Sequence, residues 1–323
     1  MRKNINLELY KKLFLVRRSE EKITELYHEN DMKTPMHMSM GAEAIAVGIC
    51  HALTNEDQVF GTYRSHALYL SKTQDVHNFF AEMYAKESSS LKGRGGSMHL
   101  FSPEHGFMGT SAIVASSIPV AAGAAFANKI EKNDKITAVF FGDGATEEGV
   151  FWESINAACL MKLPVLFVCE DNQCAVHTPV SMRQGYEDIS KIISKFNCNV
   201  LTENTTDVEN VYNLTKKALK MMKDTQLPCF MRLKYYRYLE HVGVNFDFDA
   251  GYRSEEEFID WKLRDPLKVQ REKLSDFGVE ETAIKHMENV ISERIDNIVD
   301  KVKQDSFVDV CEIYKEVLEN EKN

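Results

Sequence analysis

Apolar residues along the chain follow two periods, and the alternation between them sets the expected architecture. From Leu7 to Glu29, Leu9, Leu13, Val16, Ile23 and Leu26 recur at helical spacing while Lys, Arg and Glu fill the other face, which predicts a packing helix. Pro35 closes that pattern, and Gly41-Ala42-Glu43-Ala44 opens another helix. Short β-rich runs follow at Asp57 to Thr62, Ile136 to Phe141, Val165 to Cys169, Asn199 to Leu201 and Cys229 to Leu233. Between the second and third runs the period is helical, with Val150, Ser154, Ala157, Ala158 and Met161 expected on one face, and Val208 to Met222 is helical again. Strands alternating with helices predict an α/β fold, a doubly wound, mostly parallel sheet flanked by helices. From Ser254 onward the chain is charged and helical, and Val290, Ile291, Ile295, Ile298, Val299 and Val302 form a stripe suited to a core or a subunit interface. We expect residues 1–270 to form the main domain and residues 271–323 a helical extension.

In a parallel sheet the strand ends open at one edge, where ligands of open α/β sheets bind. The run ending at Phe141 is followed by Gly142-Asp143-Gly144, and the run ending at Cys169 by Glu170-Asp171-Asn172. The glycines allow a tight turn and close approach of a ligand. Asp143 offers a carboxylate and Asn172 an amide oxygen, hard donors that suit a magnesium-like ion bridging a diphosphate, beside the N-terminus of a helix expected to begin near Ala145. Gly-Asp-Gly alone is equally well an ordinary turn; the pairing with Asn172 favours a site.

Composition narrows the partners. With 323 residues, 44% apolar content, 27% charged residues and a net charge of −10, the chain reads as a globular protein with a sizeable core. An acidic balance disfavours nucleic acid and anionic membrane. The apolar stretch Ala112 to Ala127 is interrupted by Ser116, Ser117, Pro119 and Gly123 and falls short of the ~20 residues of a membrane span. Seven cysteines, odd in number and without a Cys-x-x-Cys pair, indicate neither a disulfide framework nor a zinc site. Charged residues within the first sixteen interrupt any signal-like core, so a cytoplasmic location is expected.

Other candidates stand at loops. Arg64, after Tyr63 at a strand end, can present a fork of donors to a phosphate, or form a surface salt bridge. Lys92 to His99 is glycine-rich but lacks a P-loop ending. The segment from Gly109 to Lys129 reads as a loop entering a helix of small residues. After the last run, Tyr235 to Ser254 is polar, aromatic and aperiodic, a loop long enough to be functional. Within it His241 can carry a proton or, as imidazolium, face a phosphate; it could equally be solvated. His37 lies in the loop before the second helix.

The stretch GDGATEEGVFWESINAACLMKLPVLFVCEDNQ resembles the thiamine diphosphate signature and, in its wording, the alpha subunit of 2-oxo acid dehydrogenases. That resemblance covers about residues 7 to 270. It implies magnesium ligands Asp143, Asn172 and the backbone carbonyl of Cys174, where relatives more often carry an aromatic residue. It also implies that Tyr63 and Arg64, in a Tyr-Arg-x-His motif ending at His66, touch the diphosphate. The carbonyl of Ala112 and the amide of Val114 would hold the aminopyrimidine, with Ile113 as an apolar prop. Tyr236, Arg237 and His241 match a Tyr-Arg-x-x-x-His loop that orders over the cofactor, and His37 would line the substrate channel. Val242 stands where mitochondrial relatives carry a regulatory Ser.

By the same resemblance the expected activity is decarboxylation of a small 2-oxo acid such as pyruvate on thiamine diphosphate, with acyl transfer to a lipoyl group of a partner acyltransferase. A beta subunit would supply the activating Glu in a tetramer of two alpha and two beta chains, and no acid here, Glu104 included, carries a motif marking it as that activator. A two-chain carboligase or transketolase-like enzyme would use the same motifs. A scaffold without catalysis is disfavoured by intact Asp143, Asn172, Arg64 and His241. A nicotinamide enzyme is disfavoured because Gly142-x-Gly144 lacks the third glycine.

Overall fold

The computed structural model describes residues 2–311. Helix α1 (Arg2–Leu26) begins before the predicted start and runs into a short 3-10 turn. It is followed by α2 (Glu43–Ala52), β1 (Gln58–Thr62), α3 (His66–Thr73), α4 (Val76–Met83), β2 (Phe107–Ser111), α5 (Ser117–Glu131) and β3 (Thr137–Gly142). Then come α6 (Gly149–Met161), β4 (Val165–Asp171), the short strands β5 (Cys174–Ala175) and β6 (Thr178–Pro179), α7 (Ile189–Ile193), β7 (Asn199–Glu203), α8 (Val208–Thr225) and β8 (Cys229–Lys234). Helices α9 (Glu255–Leu263), α10 (Pro266–Asp276) and α11 (Glu281–Gln304) complete the described chain.

Six strands form one parallel sheet in the order β2-β1-β3-β4-β8-β7. Both faces are covered, which is why the central strands read as continuous apolar runs rather than alternating ones. Alternate residues of β3 and β4 separate cleanly. Ala138, Phe140, Leu166 and Val168 join a core with α1, α2, α4, α8 and α11, while Val139, Phe141, Phe167 and Cys169 join a core with α5, α6 and α7. The chain leaves β1 toward β2 on one side and returns to β3 on the other, so the strand order reverses between β1 and β3. Such a reversal opens a crevice at the carboxyl ends of the strands.

Two expectations change. Helix α6 starts at Gly149, and Asp143–Glu147 is a 3-10 turn, so no helix begins near Ala145. Its buried face is Phe151, Ser154, Ile155, Ala158 and Cys159, with Met161 exposed; the large Phe151 ring, packed on Phe141 and Phe230, sets the rotation. In addition, β2 stands where a loop was expected, because its pairing with β1 outweighs the weak β preference of a Gly-containing segment. In the C-terminal stripe, Ile295, Val299 and Val302 are buried against the main core while Val290 stays exposed.

Candidate active site

Three strand ends converge on the crevice. At the end of β1, Ser65 Oγ accepts from Thr62 N at 2.9 Å and Thr62 Oγ1 accepts from Arg64 N at 3.2 Å, a locked turn that aims Arg64 inward. Its guanidinium donates to Met38 O at 2.7 Å and to His241 O at 2.8 Å. Among the described residues Arg64 meets carbonyls and an imidazole but no carboxylate. At the end of β3 stands Asp143, and at the end of β4, in register with Gly142, stands Glu170. These groups share a cavity of about 260 Å³ with Tyr63, Val114, Asn172, Cys174, Tyr235 and His241.

Of the two glycines beside Asp143, Gly144 is the one whose missing side chain makes room for a neighbour. A Cβ on Gly142 would meet nothing within 4 Å, whereas one on Gly144 would lie 3.0 Å from the Ala175 Cβ. Asn172 is fixed at both ends of its amide: Nδ2 donates to the Tyr235 hydroxyl at 2.9 Å, and Oδ1 accepts from Cys174 N at 2.9 Å. Gln173 between them adopts a left-handed backbone, turning the Cys174 peptide beside Asn172.

The loop after β8 crosses the crevice as a strap. Tyr238 N donates to Met40 O at 3.1 Å and Gly243 N to Met36 O at 2.8 Å. Arg253 reaches back to Leu239 O at 2.9 Å and grips Asp247. The strap therefore runs beside residues 36–40 and brings His241 to His37, from which the sequence separates it widely. His37 is buried, and its Nδ1 has no hydrogen-bond partner among the described residues.

Two opposite electrostatic regions result. Near β1, burial followed by Arg64 holds both imidazoles far below the ordinary histidine value, at about 3. This favours the neutral form of His241, so of the two roles open to it from the sequence the passing of a proton fits better than facing a phosphate as imidazolium, and Arg64 is the cation beside it. Near β3 and β4, burial followed by Asp171 pushes Asp143 up to about 6, and burial pushes Glu170 up to about 8 against the pull of Arg64. An anion belongs at the first region and a cation at the second. A diphosphate carrying a hard divalent ion satisfies both, and Asp143 with the amide and carbonyl oxygens at Asn172 and Cys174 is an oxygen donor set of the right chemistry. Burial raises the Cys174 thiol, so its carbonyl is the available donor.

The remaining candidates divide between the cavity and other places. Ala145 is buried and lines the cavity through the 3-10 turn. Ala112 sits outside the cavity lining, while Val114 joins it and Ile113 is 72% exposed. Tyr236 turns away, stacking on Trp261 with centroids 5.9 Å apart; its neighbour Tyr235 faces the cavity. His66 is fully buried, with Nδ1 3.0 Å from Glu20 Oε1 and Nε2 2.7 Å from Ser97 Oγ. It props the turn behind Arg64 and ties the glycine-rich segment to α1. Sequence reasoning missed Glu170, Tyr235 and Arg183. The first two were legible as strand-end residues beside named ones, but nothing in the sequence marks Arg183, whose guanidinium lies 2.5 Å from Asp143 Oδ2.

The family model for the dehydrogenase E1 component matches residues 11–311. The chain belongs to that family. It is 32% identical over 318 residues to the pyruvate dehydrogenase E1 component subunit alpha of Rhizobium meliloti, covering 98% of this chain and 90% of that protein. The same subunit of Porphyra purpurea is 35% identical over 277 residues, with 84% and 80% covered. That of Zymomonas mobilis is 32% identical over 314 residues, with 97% and 88% covered. This E1 component is therefore an alpha subunit of a thiamine diphosphate-dependent 2-oxo acid dehydrogenase, an oxidoreductase component of the kind that pairs with a beta subunit. Among its described residues no helix is long and apolar enough to cross a membrane.

Proposed function

We propose that this E1 alpha subunit holds thiamine diphosphate through Mg²⁺ on Asp143, Asn172 and the Cys174 carbonyl, with Tyr63 and Arg64 on the diphosphate, and that pyruvate or a similarly small 2-oxo acid is its substrate. The observation that carries this is Arg64, a cation turned into the cavity with only neutral acceptors, opposite an acidic strand end that calls for a metal. Ala112 and Val114 would present backbone groups to the cofactor's ring. His37 and His241, ring to ring, would hold or pass a proton beside the bound substrate. When bound, thiamine diphosphate supplies the electron sink for decarboxylation. Residues 1–270 would form the cofactor domain and 271–323 an extension packed on it.

A beta subunit would complete the site with the Glu that activates the aminopyrimidine, in a cytoplasmic assembly of two alpha and two beta chains serving a lipoyl-bearing acyltransferase. The relatives' names support pyruvate and the acyl-transfer outcome over a carboligase. Purified alone, the chain should bind cofactor weakly and decarboxylate nothing; with beta subunit added it should release CO₂ from pyruvate and acylate a lipoyl domain. Decarboxylation by the pure chain, its purity checked by mass spectrometry, would refute the partner requirement. Robust carboligation without lipoyl acylation would refute the dehydrogenase outcome.

A further inference from the structure

Arg183 sits on the carboxylate that the metal requires. It follows the 3-10 turn Val180–Met182, and all three guanidinium nitrogens are engaged. Nε donates to Thr178 O at 2.9 Å, one terminal nitrogen to Asp143 Oδ2 at 2.5 Å, and the other to Glu147 Oε1. The Arg183 side chain is 8% exposed and that of Asp143 is 7% exposed, so this ion pair is shielded from water and from screening salt. The same loop carries Cys174, which lines the cavity. Val180 N donates to Gln173 O at 2.9 Å and Arg183 N to Val180 O at 3.0 Å, so the arginine and the Cys174 peptide belong to one short hydrogen-bonded unit, β5 to the turn.

We propose that Arg183 is a built-in competitor of the divalent ion. The Arg183 guanidinium serves as the counterion of Asp143, and the divalent ion competes with it for that carboxylate. A guanidinium and a divalent ion on one buried carboxylate repel each other more strongly in a low-dielectric cavity than in water, so each weakens the other's hold on Asp143. The departing guanidinium keeps Glu147 and Thr178 O as partners, so the exchange leaves no buried charge unpaired. Since the loop that releases Asp143 also carries Cys174, metal entry and positioning of the third oxygen donor become one movement. Arg183 thereby sets how much free metal and cofactor the subunit needs before the site assembles.

This inference rests on the metal assignment to Asp143, and the test separates the two. Full-length alpha chain assembled with its beta subunit is titrated with Mg²⁺ at fixed thiamine diphosphate by calorimetry, with Mn²⁺ binding followed by electron paramagnetic resonance as a second readout. Wild type, Arg183→Lys, Arg183→Met and Asp143→Asn are compared, each after confirming an unchanged melting profile. Arg183→Met should bind the ion about tenfold tighter, the order contributed by one charge-assisted bond. Arg183→Lys, which keeps the charge but loses the fork, should fall between it and wild type, and Asp143→Asn should lose metal binding. If Asp143→Asn binds metal like wild type, the metal assignment itself fails. If Asp143→Asn fails to bind while Arg183→Met is unchanged or weaker than wild type, the assignment stands and the competition is overturned, the weaker result placing Arg183 on the diphosphate instead. The graded order of the Lys and Met variants is a result that a merely structural loop contact would not produce.

Discussion

The ring of His37 meets that of His241 edge-on, centroids 5.5 Å apart and planes at 90°, and Tyr63 closes the triangle at 4.6 and 5.7 Å. Both imidazoles are held neutral by burial and by Arg64, near pKa 3. An unfolded chain would protonate them near 6.5, so the stability they contribute is present above that value and is lost as pH falls from about 6.5 toward 3. Ring nitrogen NMR of the free subunit should show two histidines that do not titrate between pH 8 and 5. Ordinary titration of both would remove the neutral-pair arrangement.

His241→Ala should lower turnover with lipoyl domain as acceptor by about tenfold or more, and lower it less with an artificial electron acceptor. His241 lines the cavity from the strap, and under the proposed function the lipoyl arm would approach the cofactor past it. Wild-type rates in both assays would exclude a role for His241.

Asp143→Ala and Asn172→Ala should each weaken metal-dependent binding of thiamine diphosphate by about 10- to 100-fold while the far-UV circular dichroism stays unchanged. Both residues lie beyond the hydrophobic part of their strands. Unaltered affinity in calorimetric titration of both variants would remove the ligand assignment.

Glu170 provides a pH test of opposite sign to the histidines. Its folded value of about 8 lies above the ordinary carboxylate range, so the folded protein holds a proton that the unfolded chain releases near 4.5. Stability therefore declines as pH rises from about 4.5 to 8. Glu170→Gln should melt higher than wild type at pH 8 and alike at pH 4.5. A gap that is constant with pH would show that Glu170 does not carry the buried proton.

Gly41→Ala should cost about 1–3 kcal/mol and loosen the strap. Gly41 has φ +98°, and a Cβ there would fall 1.9 Å from Tyr236 O. Chemical denaturation checks the stability, and increased proteolysis between residues 236 and 253 checks the strap. A variant matching wild type in both would show that this contact gives way freely.

The alternating periods determined the α/β class, the strand cores β1, β3, β4, β7 and β8, and the helices α1, α2, α5, α6 and α8, because local spacing limits what each segment can bury; α3, α4 and α7 were not read from it. The pairing of Asp143 with Asn172 was legible for the same reason: both are strand-end residues of one βαβ unit, and its crossover fixes them at a common edge. The rest needed the tertiary structure. Strand β2 exists because β1 offers it an edge, and the rotation of α6 follows from where Phe151 fits against Phe141 and Phe230. His37 and His241 meet only because the strap bonds to residues 36–40. Arg183 reaches Asp143 through a loop fold with no sequence signature, and Tyr235 rather than Tyr236 faces the cavity because side-chain direction at the end of β8 is set by the sheet. Periodicity records what each segment must bury; which distant charges then share a low-dielectric cavity, and what protons they keep there, is decided only when the segments pack.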